Sequence, residues 1–333
     1  MRPTKVERTV KHVLSVVEGH VLSVVEGHVL SVVEGKVHPP TLIRAMLFVL
    51  PLILALPAIQ PFLRNELTRG YDNVLHLWRA FEADQMLSHG ILYTRWYPHM
   101  IFGLGYPMLL FNPPLSPLLA ALLHRLGLGW PAAINGIFAL GTLLSGWTVW
   151  LLIRDDPWRA NYGWRAVETQ DFASLPDTAA LAAAAAMVTI PFHVYVNVHR
   201  ASMSEALAWA FPGLILWGLL HWQRPHSSCH PELVEGSPRP NLLPSGRRER
   251  LGLLAATLGL ALMLLTHDAF TYLFLPMLGV LVVALALGYR SWRVLWRGIL
   301  AIVLGLGLAA FFWIPSVVER GYVQFDRVLR YNY

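Results

Sequence analysis

Charged residues are scarce in this chain, and cysteine is almost absent. Only 14% of the 333 residues are charged, against about 25% in soluble domains, while 55% are hydrophobic. Several apolar runs reach the roughly 20 residues that are needed to cross the hydrocarbon core of a bilayer. The only cysteine, Cys229, excludes an internal disulfide framework and any metal site built from several cysteines. The composition therefore predicts an integral membrane protein.

The positive net charge of +6 does not indicate a nucleic-acid partner. Its arginines cluster at the ends of the apolar runs. That distribution is typical of membrane topology, because cytoplasmic loops retain lysine and arginine. We therefore expect the membrane, and no nucleic acid, to be the main surface that this chain meets.

The N-terminal region contains three identical copies of HVLSVVEG, at 12–19, 20–27 and 28–35, and the related HPELVEG occurs at 230–236. An eight-residue period fits neither a coiled coil nor a known solenoid repeat. Perfect identity indicates recent duplication of the DNA, and the copies resemble peptides translated from short interspersed repeats in bacterial genes. We expect residues 1–40 to be disordered and without a role. The alternative is a β-rich binding arm.

Seven apolar segments are long enough to be spans: 43–62, 132–153, 178–197, 204–221, 251–266, 269–288 and 298–316. A further stretch, 113–130, has an apolar part that is too short to cross, and stretches of this length are often interfacial or re-entrant. The predicted fold class is therefore an all-α integral membrane domain over 41–316, with about seven transmembrane helices. Residues 317–333 are predicted to begin an extracytoplasmic segment.

Arginine distribution predicts the orientation. With 113–130 excluded from the spans, loops 154–177, 222–250 and 289–297 lie on the side of the N-terminus and hold 11 arginines. The short loops on the opposite side hold only Arg200. The positive-inside rule then predicts a cytoplasmic N-terminus and a long first loop, roughly 63–131, outside. Loop 222–250 is rich in Pro, Ser and Gly, which predicts a disordered cytoplasmic linker.

Polar and titratable residues recur at three turns on the predicted outer side. The first loop offers Asp72, His76, Arg79, Glu82, Asp84, His89, Arg95 and His99; the next turn offers Asn197, His199, Arg200, Ser202 and Glu205; and the third offers Thr266, His267 and Asp268. Ionisable groups at this depth are costly unless they are paired or line a wet cavity. Their recurrence predicts one shared outward-facing site. The alternative is ordinary interfacial polarity at each turn.

The stretch RGYDNVLHLWRAFEAD, residues 69–84, has two faces when it is drawn as a helix. Asp72, His76, Arg79 and Ala83 fall on one side, and Val74, Leu77, Trp78 and Phe81 fall on the other. This pattern predicts a helix that lies flat on the bilayer with its titratable groups above it. The alternative is a solvated loop.

The following segment, 97–117, is rich in proline and glycine, which forbids a continuous helix. Aromatic side chains suit the headgroup layer of a bilayer. The segment contains Tyr97, Phe102, Tyr106 and Phe111, and Trp96 comes just before it. We expect a compact loop that rests on the bilayer.

Four segments together resemble a bacterial and archaeal membrane family labelled 6-pyruvoyl-tetrahydropterin synthase-related. They are GYDNVLHLWRAFEADQMLSHGILYTRWYPHMIFGLGYPMLLFNPPLSPLLAALLHRLGL, VHRASMSEALAWAFPGLILWGLL, LLTHDAFTYLFLP and FFWIPSVVERGYV. The resemblance covers roughly 43–333, interrupted by the linker. That family is similar to the GT-C superfamily of polyprenyl-phosphate-dependent glycosyltransferases. It implies a GT-C-like fold whose long first external loop carries interfacial helices. Family members usually continue beyond this point, so we expect a truncated member.

The resemblance also implies roles for particular residues. It implies roles for Asp72, for Arg200 and Glu205, and for His267. Taking these together with the other polar residues of the predicted shared site, we expect Asp72, His76 and Glu205 to be catalytic, and Arg79, Arg200, His267 and Asp268 to bind substrate. Family members often have a His followed by Asn where this chain has His267 and Asp268. The paired-acid DxD pattern of some relatives is replaced by Asp-Asn-Val at 72–74, so a divalent cation (Mg or Mn) is implied only as a possible cofactor.

The implied function is transfer of a sugar from a polyprenyl-phosphate donor to an envelope glycan, lipid or protein, on the outer face of a bacterial or archaeal cytoplasmic membrane. Such a transfer needs a base for the acceptor proton and cations for the departing phosphate. One alternative is a transporter or flippase for lipid-linked sugars, which would place polar residues deep in several spans and show related halves. The spans are largely Leu, Ala and Val, and no inverted repeat is visible. The other alternative is a non-catalytic scaffold in envelope assembly.

Overall fold

The computed structural model describes residues 49–154, 175–223 and 245–322. From Leu50 onward these residues belong to one compact unit. The repeats at 12–35, most of the expected linker and residues 323–333 lie outside the described residues. The described chain is helical and contains no β-strand, and its one β-bridge joins Tyr97 to Tyr106. The all-α prediction is therefore confirmed for this part of the chain.

We number the main helices along the chain. They are α1 Asn73–Ser88, α2 Leu115–Arg125, α3 Trp130–Arg154, α4 Leu175–Thr189, α5 Met203–Trp222, α6 Ser245–Thr266, α7 Asp268–Gly288, α8 Trp292–Leu308 and α9 Ala310–Val318. Shorter helical turns are Leu56–Ile59, Gln60–Leu63, Met108–Phe111, Pro191–Val194, the π-helix Tyr195–Arg200, and Glu319–Tyr322.

Within the described ranges, four helices are long and apolar enough to cross a membrane: α3, α5, Glu249–Thr266 of α6, and α7. Two bent pairs pass the same test when each is taken as one span. Ala179–Thr189 and Pro191–Arg200 meet at 42°, while Trp292–Leu308 and Ala310–Tyr322 meet at 79°. These four to six candidates coincide with the last six expected spans, so the structure contains helices of membrane-spanning length and composition where the sequence predicts them.

The first expected span, 43–62, lies partly outside the described residues, and its described part is not one continuous helix. Helical residues 49–54 are followed by a turn at Ala55, a short helix and a 3-10 turn, with Pro57 and Pro61 at the helix starts. The count of seven spans and the cytoplasmic N-terminus remain predictions.

The structure gives helix bounds within the two segments that were not expected to cross the membrane, 113–130 and 222–250. In 113–130 the helix α2 has 11 residues, and a helix of that length extends only about 16 Å, too little to cross. In the expected linker 222–250, helix α6 already begins at Ser245, so the linker prediction was too long at its C-terminal end. Residues 245–250 carry three arginines, a polar composition that hides the helix start from a hydropathy reading.

Close packing around α5 holds the bundle together. Gly218 of α5 and Gly252 of α6 face each other, because a Cβ atom added at Gly218 would lie 2.6 Å from the Gly252 carbonyl oxygen. Small residues of this kind let two helix backbones approach closely, which is how helices associate where lipid offers no hydrophobic driving force. A second close approach joins Gly141 of α3 to Ala206, so α5 is packed on both sides. This packing fixes the N-terminal end of α5, where the polar residues lie.

Candidate functional site

Helix α1 has the two faces that its sequence predicts, but the polar face is turned into the protein. His76, Arg79 and Glu82 are buried, whereas Val74 and Trp78 are exposed. Helix α1 packs against α2 and α3. That α1 lies flat on a bilayer remains a prediction, whereas the solvated-loop alternative is wrong for these titratable groups. They are buried because other parts of the chain supply hydrogen-bond partners.

The start of α1 is fastened to the turn that precedes α5. The backbone N–H of Asp72 donates to the carbonyl of Arg200 at 3.1 Å, and that of Tyr71 donates to the carbonyl of His199 at 3.4 Å. Ala201 adopts a left-handed conformation with φ of 53° and lies directly against Gly70. Two segments that are about 130 residues apart in sequence thus form one junction, which carries Asp72 and Arg200 side by side.

His76 makes the next contact between α1 and α5. Its Nε2 accepts the backbone N–H of Met203 at 3.1 Å and so satisfies a free donor at the start of α5. Burial, with the positive charges of Arg79 and Arg200 nearby, lowers the pKa of His76 to about 3. The ring is therefore neutral, its proton lies on Nδ1, and Nδ1 has no partner among the described residues. Nδ1 of His76 is thus a buried donor without a hydrogen-bond partner among the described residues.

Arg200 connects the two carboxylates of the site. Its Nη1 donates to Oε2 of Glu205 at 2.7 Å, and its Nε lies 3.9 Å from Oδ2 of Asp72. Arg200 is the last residue of a π-helix, a distortion that often accompanies functional sites, and Ala201 then turns the chain into α5. The guanidinium and the Asp72 carboxylate are both partly exposed, at 46% and 38% of their side-chain areas.

His267 joins the third turn to the same group. Its Nδ1 accepts the backbone N–H of Phe270 at 3.1 Å and caps α7. Burial, with Arg200 and Arg79 nearby, lowers the pKa of His267 to about 4, so the neutral ring carries its proton on Nε2. That nitrogen lies 4.0 Å from Oε2 of Glu205. Asp268 follows at the first position of α7, where its carboxylate accepts the N–H of Ala269 at 2.8 Å.

Arg79 is a buried cation without an adjacent carboxylate. Its Nη2 donates to the carbonyl of Pro113 at 3.1 Å, and among the described residues no Asp or Glu oxygen lies within 4.0 Å of it. Burial lowers the pKa of Arg79 below its ordinary value, while Tyr97, Asp268 and Asp72 favour the charged form from a greater distance. A buried charge in this state is costly, which makes Arg79 a strong candidate to bind an anion.

Glu82, one of the polar residues expected at the shared site, and Tyr97 lie close to the buried face of α1 that carries Arg79, although neither was assigned a catalytic or substrate-binding role. Glu82 is fully buried and lies 3.2 Å from Nδ1 of His99, and its second oxygen has no hydrogen-bond partner among the described residues. Tyr97, which was expected in the headgroup layer, is buried, and that expectation is wrong. The spacing of Arg79 and Glu82, three residues apart on one helix, was the signal that could have included Glu82. Nothing local marked Tyr97.

The structure thus brings the seven predicted residues together along α1 and at the starts of α5 and α7. Asp72, Arg200, Glu205 and His267 form a chain of short contacts, and His76 and Arg79 interact electrostatically with its members. Asp268 adjoins His267. Within the described ranges, no three His, Cys, Asp or Glu side chains group closely enough to hold a metal ion. The functional roles of these residues remain predictions.

No protein-family model, curated protein sequence or solved structure matches this chain. The assignment of function therefore depends on the arrangement of the site and on the sequence resemblance described above.

Proposed function

We propose that this chain is a membrane glycosyltransferase of the GT-C type, which moves a sugar from a polyprenyl-phosphate donor to an envelope acceptor outside the cytoplasmic membrane. One observation carries the proposal. Asp72 and Arg200 present a carboxylate and a guanidinium side by side, both partly exposed, at a junction made by backbone hydrogen bonds. A base and a phosphate-binding cation are the two groups that this transfer needs.

In the proposed reaction the Asp72 carboxylate takes the proton of an acceptor hydroxyl. The acceptor oxygen then forms a bond to the anomeric carbon of the sugar, while the bond between that carbon and the phosphate oxygen breaks. The phosphate leaves with the bonding electron pair, and Arg200 stabilises its negative charge. Arg79 supplies a second positive charge on the face of α1, for which the described residues offer no adjacent carboxylate.

Glu205 and His267 support this reaction by holding Arg200. The short contact between Glu205 and Arg200 fixes the guanidinium toward Asp72, and the N–H of His267 faces the same carboxylate oxygen of Glu205. Preorganised charges of this kind stabilise a developing anion without rearranging during the reaction. Glu205 thus contributes to catalysis through Arg200 as a positioning residue.

The test is a transfer assay in proteoliposomes with radiolabelled polyprenyl-phosphate sugars and envelope lipid as acceptor. We expect Asp72→Asn to abolish transfer while membrane insertion is unchanged. The matched control is Asp84→Asn, because Asp84 pairs with Arg125 at 2.6 Å, away from the Asp72–Arg200 junction. Transfer that persists in Asp72→Asn would remove Asp72 from the mechanism.

The same assay separates the alternatives. Movement of labelled donor across the bilayer without a covalent product would indicate a transporter or flippase, and neither transfer nor movement would indicate a scaffold. A parallel series with chelator, and with Mg²⁺ or Mn²⁺ restored, decides whether a divalent cation takes part.

A further inference from the structure

Residues 97–106 form a small finger with a well-defined base. The backbones of Tyr97 and Tyr106 exchange two N–H···O hydrogen bonds of 2.9 Å, and the N–H of Gly105 donates to the carbonyl of Met100 at 2.9 Å. The indole of Trp96 covers Gly105 so closely that a Cβ atom there would lie 2.3 Å from the indole nitrogen. The finger is thus a folded hairpin-like loop whose tip is residues 101–104.

The tip carries backbone strain at an unusual pair of residues. Ile101 and Phe102 both have positive φ, at 52° and 56°. Asn and Gly are the residues that favour two successive positive φ values at a hairpin turn, whereas a β-branched or aromatic residue there is a steric outlier. Strain of this kind persists where the side chains themselves serve a purpose.

These strained residues point their apolar side chains outward. Phe102 is fully exposed, Leu104 is 78% exposed and Ile101 is 51% exposed. No charged residue occurs between Met100 and Pro107. An exposed apolar tip without charge marks a contact with another apolar phase.

The base of the finger is continuous with the exposed apolar face of α1. The ring of His99 lies against Phe81, with centroids 6.4 Å apart, and Phe81 contacts Trp78 edge-on at 5.8 Å. Trp78 is half-exposed on the outward side of α1. The His99 contact to Glu82 ties the same base to the buried polar face of α1, one turn from Arg79.

Helix α9 holds the chain on both sides of the finger. Tyr93 packs edge-on against Phe311 of α9, and Ser316 of α9 donates to the carbonyl of Leu110. Helix α9 is bent 79° away from α8. Phe311, Ile314 and Val318 are exposed on α9. Helix α9 thus contacts the chain on both sides of the finger, at Tyr93 and at Leu110, and carries exposed apolar side chains of its own.

We propose that the finger inserts Ile101, Phe102 and Leu104 among the acyl chains of the bilayer and so anchors the first external loop. The proposal does not depend on the proposed sugar transfer. Three side chains offer a few hundred Å² at most, less than the roughly 800 Å² per partner that a stable protein interface needs. They suit lipid, which requires neither polar partners nor shape complementarity.

The experiment places an environment-sensitive NBD label at Leu104→Cys in the full chain, with Cys229→Ser to remove the native thiol, reconstituted in proteoliposomes. We expect blue-shifted emission, quenching by lipids with nitroxide-labelled acyl chains, and protection from aqueous iodide. A label at Ser88→Cys, an exposed polar position at the end of α1, is the matched control and should behave in the opposite way. Iodide quenching at position 104 without quenching by the nitroxide lipids would overturn the proposal.

A double variant whose residues favour the positive φ values of the tip separates the effect of lipid contact from an effect on folding. Ile101→Asn with Phe102→Gly installs the residues that favour positive φ, so thermal stability should be equal or higher while quenching by nitroxide lipids at position 104 falls several-fold. Phe102→Leu keeps the apolar side chain and should keep the quenching. Unchanged quenching in the double variant would refute the anchor. Protection from both quenchers, with disulfide cross-linking between copies of Phe102→Cys, would assign the tip to a second copy and refute it too.

Discussion

The Arg200 guanidinium lies 2.7 Å from the Glu205 carboxylate, although a left-handed residue, Ala201, separates the helices to which they belong. This contact fixes the cation between Glu205 and the more exposed Asp72. In the proposed function, Glu205 is the carboxylate that positions Arg200, and Asp72 is the one that meets the substrate. Both residues are carboxylates, and the proposed roles follow from their exposure: the Asp72 side chain is 38% exposed and that of Glu205 is 8% exposed.

Removing the charge of Glu205 should weaken both stability and phosphate binding. Glu205→Gln keeps the shape of the side chain but loses a charge-assisted hydrogen bond in a largely buried position, so we expect a loss of about 1–3 kcal/mol in the free energy of unfolding. Donor KM should rise, because Arg200 is no longer held. Thermal unfolding in detergent and transfer kinetics measure the two effects. Glu66→Gln, at an exposed position, is the control, and equal behaviour of the two variants would contradict the role of Glu205.

Gly70→Ala should disrupt the junction at the start of α1. An added Cβ atom would lie 2.1 Å from the Cβ atom of Ala201, too close for any rearrangement that leaves the backbone in place. We expect a loss of about 1–3 kcal/mol in stability, measured by thermal unfolding, and greater proteolysis between 64 and 72. Gly279→Ala has open space around the added atom inside α7 and should be neutral or slightly stabilising. Equal stability of both variants would show that the junction is not tight.

His76 should make the protein less stable in acid. The pKa of His76 is lowered from 6.5 to about 3, so between these values the unfolded chain binds a proton at this residue while the folded chain does not. Stability is therefore full above pH 6.5 and falls as the pH drops toward 3, by up to about 1.4 kcal/mol per pH unit.

Thermal unfolding from pH 7.5 to 4.5 measures this dependence, with His76→Gln as the comparison. Glutamine offers an oxygen to the Met203 N–H but cannot titrate, so its stability should depend less steeply on pH than that of the native protein. Parallel curves for the two proteins would show that His76 is not held neutral.

Replacing Arg79 should separate binding from stability. Arg79→Met removes a buried charge that has no carboxylate within 4.0 Å in the described part of the chain, so stability should be unchanged or should rise by about 1–2 kcal/mol. If Arg79 binds the donor phosphate, donor affinity falls at the same time. Unfolding temperature and titration with a polyprenyl phosphate measure the two changes. A large loss of stability with unchanged affinity would assign Arg79 a structural role only.

Local patterns predicted much of the fold and part of the site. The positions of six candidate spans follow from runs of apolar residues, and the two faces of α1 follow from the helical period. The three polar turns could be identified because each interrupts an apolar run. The start of α6 at Ser245 was missed, because a helix can extend beyond the membrane into a polar sequence. The buried state of Tyr97 was missed because aromatic rings suit both an interface and a core.

The sequence by itself determined that this chain has apolar helices long enough to cross a membrane, where they lie, and which residues share a face of α1. These properties depend on hydrophobicity and on a period of a few residues, which any short window contains. Only the tertiary structure decided that the polar face of α1 is buried, that Arg200 is held by Glu205, and that Glu82 contacts His99. Each of these depends on partners from elsewhere in the fold, and long-range packing and hydrogen bonding, which no local period encodes, select those partners.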